Sequence, residues 1–149
     1  MNIQVRIKLS RGMTAPEYAT AGAAAVDLRA ALDEGAELVL QPGERALIPT
    51  GIAISPGSPD VVAVIAGRSG LGVKHGVSLS NGIGVIDSDY RGEIQVGLIN
   101  RGDRPFTVAR GDRIAQMLFL PVHHAGFLVC EELDETERGG GGFGHTGVR

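Results

Sequence analysis

Short apolar runs, separated by turns bearing glycine or proline, recur at spacings of about 8–12 residues along most of this 149-residue chain. No amphipathic stretch of helical length lies between them. With 23 glycines and 7 prolines, the sequence favours short strands and tight turns over long helices. Ile3, Val5, Ile7 and Leu9 alternate with Gln4, Arg6 and Lys8, the period of a half-buried strand. Further extended runs are expected at 24–29, 38–40, 45–49, 51–54, 61–66, 77–79, 84–86, 93–100, 106–108, 114–120 and 127–129. Residues 61–66 are apolar throughout and read as a buried strand. Residues 68–72 are too rich in glycine for a strand and read as one helical turn or a loop. The sum is an all-β sandwich or barrel, without the internal repeat of a propeller or solenoid.

Composition narrows the function. Leu, Ile, Val and Phe make up about 28% of the chain, above the roughly 20% below which chains stay disordered. The net charge is −3 and the pI near 5.8, so a duplex nucleic acid is not an expected partner. Aromatic residues are 4% with no Trp, which argues against a base-stacking platform. The longest apolar run is 61–66, far too short to cross a membrane, and the first residues lack the apolar core of a signal peptide. A single cysteine, Cys130, cannot form an intramolecular disulfide, and a reducing cytoplasmic setting is the simplest reading. Because it follows Phe127-Leu128-Val129, Cys130 is expected to fill the core. His123 and His124 are neighbours, and neighbours on a strand face opposite ways, so they cannot share a metal. No Walker-type phosphate loop is present, and the two Arg-Gly-Asp triplets read as turn chemistry. From Glu131 the composition turns acidic, then Arg138 precedes four glycines. Residues 1–130 are therefore expected to form the domain and 131–149 a linker and flexible Gly-rich arm.

Three stretches carry possible chemistry. Arg68-Ser69-Gly70 is either a surface turn or a cation, a hydroxyl and a backbone open to close approach. Asp87-Ser88-Asp89-Tyr90-Arg91-Gly92-Glu93 is either a solvated hairpin tip or a set of carboxylates beside a phenol. The end of the chain, Arg138 through Gly147, is either a disordered tail or a strap bearing one aromatic ring, Phe143. Together they suit a small molecule with phosphates and an aromatic ring.

Five collinear segments resemble the motifs of the trimeric deoxyuridine triphosphatases (dUTPases). They are Ala-Ala-Val-Asp-Leu at 24–28, Gly-Arg-Ser-Gly-Leu-Gly at 67–72, the run from Asn81 to Glu93, Gly-Asp-Arg-Ile-Ala-Gln-Met at 111–117, and Arg138 to Gly147. The chain departs from the usual pattern at Ala25, where the family has Gly, at Gly67, where it has Pro or Ser, and at His145, where it often has Ser. None of these removes a reacting group. The resemblance implies a jelly-roll-like β subunit in a homotrimer with shared active sites. It implies hydrolysis of dUTP to dUMP and pyrophosphate, which keeps uracil out of DNA and supplies dUMP for thymidylate synthesis. Asp87 would be the general base on the attacking water, and Ser69 would hydrogen-bond the α–β bridge. Arg68, Gly70, Gln116, Arg138 and Thr146 would hold phosphate oxygens. Asn81 and backbone groups near Val85, Ile86 and Gln95 would read uracil, Tyr90 would lie under the deoxyribose, and Phe143 would stack on the base. Mg2+ would ride on the triphosphate, with Asp27 reaching it only through water. A dCTP deaminase and a non-catalytic jelly-roll binding module are the rival readings. Release of pyrophosphate from dUTP, or of ammonia from dCTP, separates the three.

Overall fold

The computed structural model describes residues 3–142. It contains eleven strands and one short helix: β1 (Arg6–Leu9), β2 (Val26–Arg29), β3 (Glu37–Leu40), β4 (Arg45–Pro49), β5 (Ile52–Ser55), β6 (Val61–Ala66), α1 (Ser69–His75), β7 (Val77–Leu79), β8 (Gly84–Ile86), β9 (Gln95–Asn100), β10 (Phe106–Ala109) and β11 (Arg113–Pro121). Among the described residues every pairing is antiparallel. The ladders run β2-β11-β6-β8, β4-β9-β7, β1-β5 and β10-β3. The all-β expectation is borne out.

Inward residues of these ladders merge into one core. Val26 and Leu28 from β2, Ala63 and Ile65 from β6, and Val96 and Leu98 from β9 are all buried within it. Each set is spaced by two, as a pleated strand with one covered face requires. Strand β11 breaks that period. Its register against β2 shifts between Arg113 and Ala115, and Ile114 and Ala115 are both buried. The extra residue is a β-bulge. It places Arg113 and Gln116, three positions apart, on the outward face that Asp27 shares across the ladder.

The buried Asn100 joins two turns at the far end of β9. Its amide donates to the carbonyls of Leu40 (2.8 Å) and Arg104 (2.7 Å), and its Oδ1 accepts the Gly102 N–H (2.9 Å). A buried amide that meets all these partners is stable, whereas the same groups left unmatched are costly.

Five expectations need correction. Residues 127–129 form no strand, and Phe127, Leu128 and Val129 are 92%, 94% and 101% exposed. Cys130 is exposed rather than in the core. The cause is common to both. After Pro121 the chain leaves the sheet, with a last backbone tie from Val122 N–H to the Asp60 carbonyl (3.0 Å). The N-terminal strand is confined to β1, where all four residues are exposed, because it pairs only with β5 at an edge. Strand β6 buries only Ala63 and Ile65; Val62 and Val64 lie half-buried on its other face. Finally, α1 runs to His75, two turns rather than one. Leu71 packs on the core, and the Gly76 N–H caps the helix on the Gly72 and Leu71 carbonyls.

Asn100→Ala strips two carbonyls and an N–H of their buried partner. It should lower unfolding stability by about 2–4 kcal/mol, read as a shift in urea midpoint at fixed protein concentration. A shift corresponding to less than about 0.5 kcal/mol would mean that these turns hold without it.

Candidate functional site

Two clusters of polar residues stand out, at different places on the β2-β11-β6-β8 sheet. The first is built on β2, β11 and the end of β6. Gln116 lies opposite Asp27 on one side and Ala66 on the other. Arg68 Nε donates to Asp27 Oδ1 (2.9 Å), and Arg113 Nη1 donates to Asp27 Oδ2 (3.2 Å). Arg68 Nη1 also donates to the Arg113 carbonyl (3.2 Å), and Gln116 Nε2 donates to the Gly67 carbonyl (2.9 Å). The Asp27 and Arg68 side chains are about a quarter exposed, at 25% and 24%. Ion pairs this wet contribute little stability, and their value here is orientation. One carboxylate fixes two guanidinium groups, leaving their remaining N–H donors for an anion. Ser69 and Gly70 follow at once, exposed, in the first turn of α1. The resemblance implies a place for Arg68, Ser69, Gly70, Gln116 and Asp27 at the phosphate end, and all lie at this corner. Arg113 was quoted in a motif without a role. The signal that could have found it is Ile114-Ala115, two adjacent apolar residues that break the strand period.

The second cluster surrounds a shallow cavity of about 230 Å³, lined in part by Val85, Ile86, Asp87, Tyr90 and Gln95. All five are sequence-predicted site residues. The turn after β8 is tight, with the Tyr90 N–H on the Asp87 carbonyl (3.1 Å). The Tyr90 hydroxyl donates to the Glu93 carbonyl (3.1 Å), which lays the ring across Gly92. A Cβ on Gly92 would stand 2.3 Å from the Tyr90 hydroxyl oxygen, so only glycine lets the ring lie there. Asn81 opens the β7–β8 connection and is exposed. It is not part of the cavity wall.

The two clusters are far apart within one chain. Ile86 pairs with Ala63, so Asp87 follows beside Val62. Arg68 lies six positions further along the same line, about 20 Å at the usual strand rise. Arg138 Nε donates to the Gly141 carbonyl (2.9 Å) of its own tail, and among the described residues it makes no hydrogen bond to either cluster. Phe143 and Thr146 lie outside the described residues.

Among the described residues, no three His, Cys, Asp or Glu side chains come together as a metal cage. Both oxygens of Asp27 are taken by guanidinium groups. Asp27, held between two guanidinium groups, is the carboxylate that this corner could turn toward a divalent ion.

The structure combines antiparallel strands of this order with a cationic corner and a separate cavity rimmed by carboxylate and phenol, groups whose chemistry suits a phosphorylated small molecule. The dUTPase family model matches residues 11–147. The chain is 55% identical over 148 residues to the deoxyuridine 5'-triphosphate nucleotidohydrolase of Methylococcus capsulatus, covering 97% of each. It is also 55% identical over 150 residues to that of Neisseria gonorrhoeae, covering 99% of each. The dUTPase of Staphylococcus bacteriophage 80alpha, solved with dUpNHpp, superposes with a TM-score of 0.86 at 26% identity, over 97% of this chain and 99% of that one. This chain belongs to the dUTPase family, an enzyme family with the β jelly-roll fold.

Proposed function

We propose that this chain hydrolyses dUTP to dUMP and pyrophosphate in sites shared between the subunits of a homotrimer, keeping uracil out of DNA and supplying dUMP for thymidylate synthesis. The observation that carries the reading is the cavity beside β8. It gathers Asp87, Tyr90, Gln95 and the β8 backbone within one small volume. Family membership supplies the substrate class.

The chemistry follows from these groups. Asp87, exposed at the cavity rim, orients a water and takes its proton as the water oxygen bonds to the α-phosphorus. The bond from that phosphorus to the α–β bridging oxygen breaks, and pyrophosphate leaves. The Ser69 hydroxyl donates to the bridging oxygen as charge builds there. Arg68, Gln116 and the Gly70 backbone hold the other phosphate oxygens, with Arg138 and Thr146 closing on them from the arm. Asp27 holds Arg68 and would face the water shell of a magnesium ion, which when bound would supply charge neutralisation to the triphosphate. Asn81 pairs with the uracil edge, helped by backbone groups of Val85 and Ile86 and by Gln95. Tyr90 lies against the deoxyribose, and Phe143 stacks on the base.

Distance supports sharing between subunits. Reacting atoms must stand about 3–3.5 Å apart. Asp87 and Arg68 of one chain are about 20 Å apart along the sheet. A site that uses both needs one from each of two copies. Two apolar surfaces support assembly. Leu118, Val64 and Val85 form a row across three strands on the outward face of the sheet, with Val85 59% exposed. Phe127, Leu128, Val129 and Leu133 have no cover among the described residues. A cytoplasmic setting suits the exposed lone thiol of Cys130, and among the described residues no helix is long and apolar enough to cross a membrane.

Residues 1–130 serve as the catalytic domain, and 131–149 as a linker and an arm that closes over bound nucleotide. The four glycines from Gly139 to Gly142 give this segment a large ordering entropy, which only ligand contacts can offset.

Asp87→Asn should bind dUpNHpp as the parent does, yet release pyrophosphate from dUTP slower by about 10²–10⁴. Near-parental turnover would remove Asp87 from the role of base. Truncation after Glu137 should leave assembly and melting temperature close to those of the full chain, while kcat falls steeply. A truncated protein with undiminished kcat would take the arm out of the mechanism.

A further inference from the structure

Arg11 lies outside the site described above, in the turn after β1. It is the one non-glycine residue with positive φ (53°) among those described. Such a conformation persists only where the surroundings hold it. Here they do. The Arg11 carbonyl accepts from the Arg110 guanidinium. The Arg11 Nε donates to both oxygens of the Glu93 carboxylate, at 3.1 and 3.4 Å, across 82 positions of sequence.

Glu93 is the last residue of the turn that carries Tyr90. Its Oε1 also accepts the Gly51 N–H (2.7 Å). Gly51 has a φ of +70°, and a Cβ there would stand 2.7 Å from the Ser10 carbonyl oxygen, so this strap admits no side chain. Next in sequence, the Ile94 N–H donates to the Ile52 carbonyl (2.7 Å), and the buried Thr50 hydroxyl donates to the Ile94 carbonyl (2.6 Å). Residues 93 and 94 are thus stitched to 50–52. The Tyr90 hydroxyl hangs from this staple through the Glu93 carbonyl.

We propose that Arg11 is a positioning residue for sugar selectivity, acting through Glu93 on Tyr90. This rests on the reading that Tyr90 lies against the deoxyribose. The Glu93 carboxylate is held from two sides, by the Gly51 N–H and by Arg11. With Arg11 gone it keeps one partner and turns toward water, and the carbonyl that anchors the Tyr90 hydroxyl shifts with it. Rejection of a 2′-hydroxyl is a matter of overlap, so a small displacement of the ring admits the ribose while dUTP still fits. The pair is half-exposed, with side chains at 43% and 24%, so its contribution to global stability is small.

The test compares kcat/KM for dUTP and UTP in the full-length protein and in Arg11→Ala, Arg11→Lys, Glu93→Gln and Tyr90→Ala. Both substrates carry the same triphosphate, so general changes in phosphate binding cancel in the ratio. Arg11→Ala should narrow the dUTP-to-UTP ratio by about threefold to tenfold, chiefly through faster use of UTP, with the urea midpoint nearly unmoved. Arg11→Lys should restore part of the ratio, because an ammonium reaches the carboxylate without the guanidinium geometry. Glu93→Gln keeps the acceptor for Gly51 but loses the charge, and should narrow the ratio in the same direction. If Tyr90→Ala narrows the ratio while Arg11→Ala and Glu93→Gln leave it unchanged, the link through Arg11 is wrong. If Tyr90→Ala also leaves it unchanged, the assignment of Tyr90 to the sugar fails, and this inference with it.

Discussion

Strand β11 is the element on which the remaining structure depends. It pairs with β2 along one edge and with β6 along the other, and so joins parts of the chain more than fifty positions apart. Its inward residues, Ile114, Ala115 and Met117, belong to the core. The single bulge near Ile114 then turns a structural strand into part of a site. A regular strand puts residues three positions apart on opposite faces. With the extra residue, Arg113 and Gln116 share the outward face and meet Asp27 and Gly67. The irregularity in β11 sets Arg113 and Gln116, and the short β6–α1 connection supplies Gly67 and Arg68.

The same sheet explains why the chain is more apolar than its own core requires. A strand covered on one face alternates, and a strand covered on both is apolar throughout. Strand β6 has the second kind of sequence but, within one chain, the first kind of burial. The row Leu118, Val64 and Val85 is the unmet half. The exposed segment from Phe127 to Leu133 has the same character. In the proposed trimer other copies would meet both surfaces, and assembly would also bring the phosphate corner of one subunit to the Asp87 cavity of another.

What the sequence made legible follows from locality. The likeness of the motifs named Val85, Ile86, Asp87, Tyr90 and Gln95, and because they fall within one strand-turn-strand unit the turn signals alone bring them near one another. Asp27 and Arg68 are 41 positions apart, and Gln116 and Gly67 are 49. Their meeting depends on register across β2, β11 and β6, which no local pattern reports, and only the likeness of the motifs linked them. The salt bridge from Arg11 to Glu93 was illegible for the same reason. For Phe127 to Cys130, the apolar composition was read as burial in the chain's own core. Composition registers that a segment needs cover, and not which chain provides it.

Subunit complementation tests the central claim most directly. Arg68→Ala and Asp87→Asn each disable one half of the site and lie at separate corners of the fold. Each variant alone should be nearly inactive on dUTP. Mixed, dissociated and reassembled together, they should regain turnover, because about one site in four draws its Arg68 and its Asp87 from intact partners by random assortment. Pyrophosphate release from the mixture that stays at the level of the separate variants would contradict the shared site, since it would mean that Arg68 and Asp87 act within one chain.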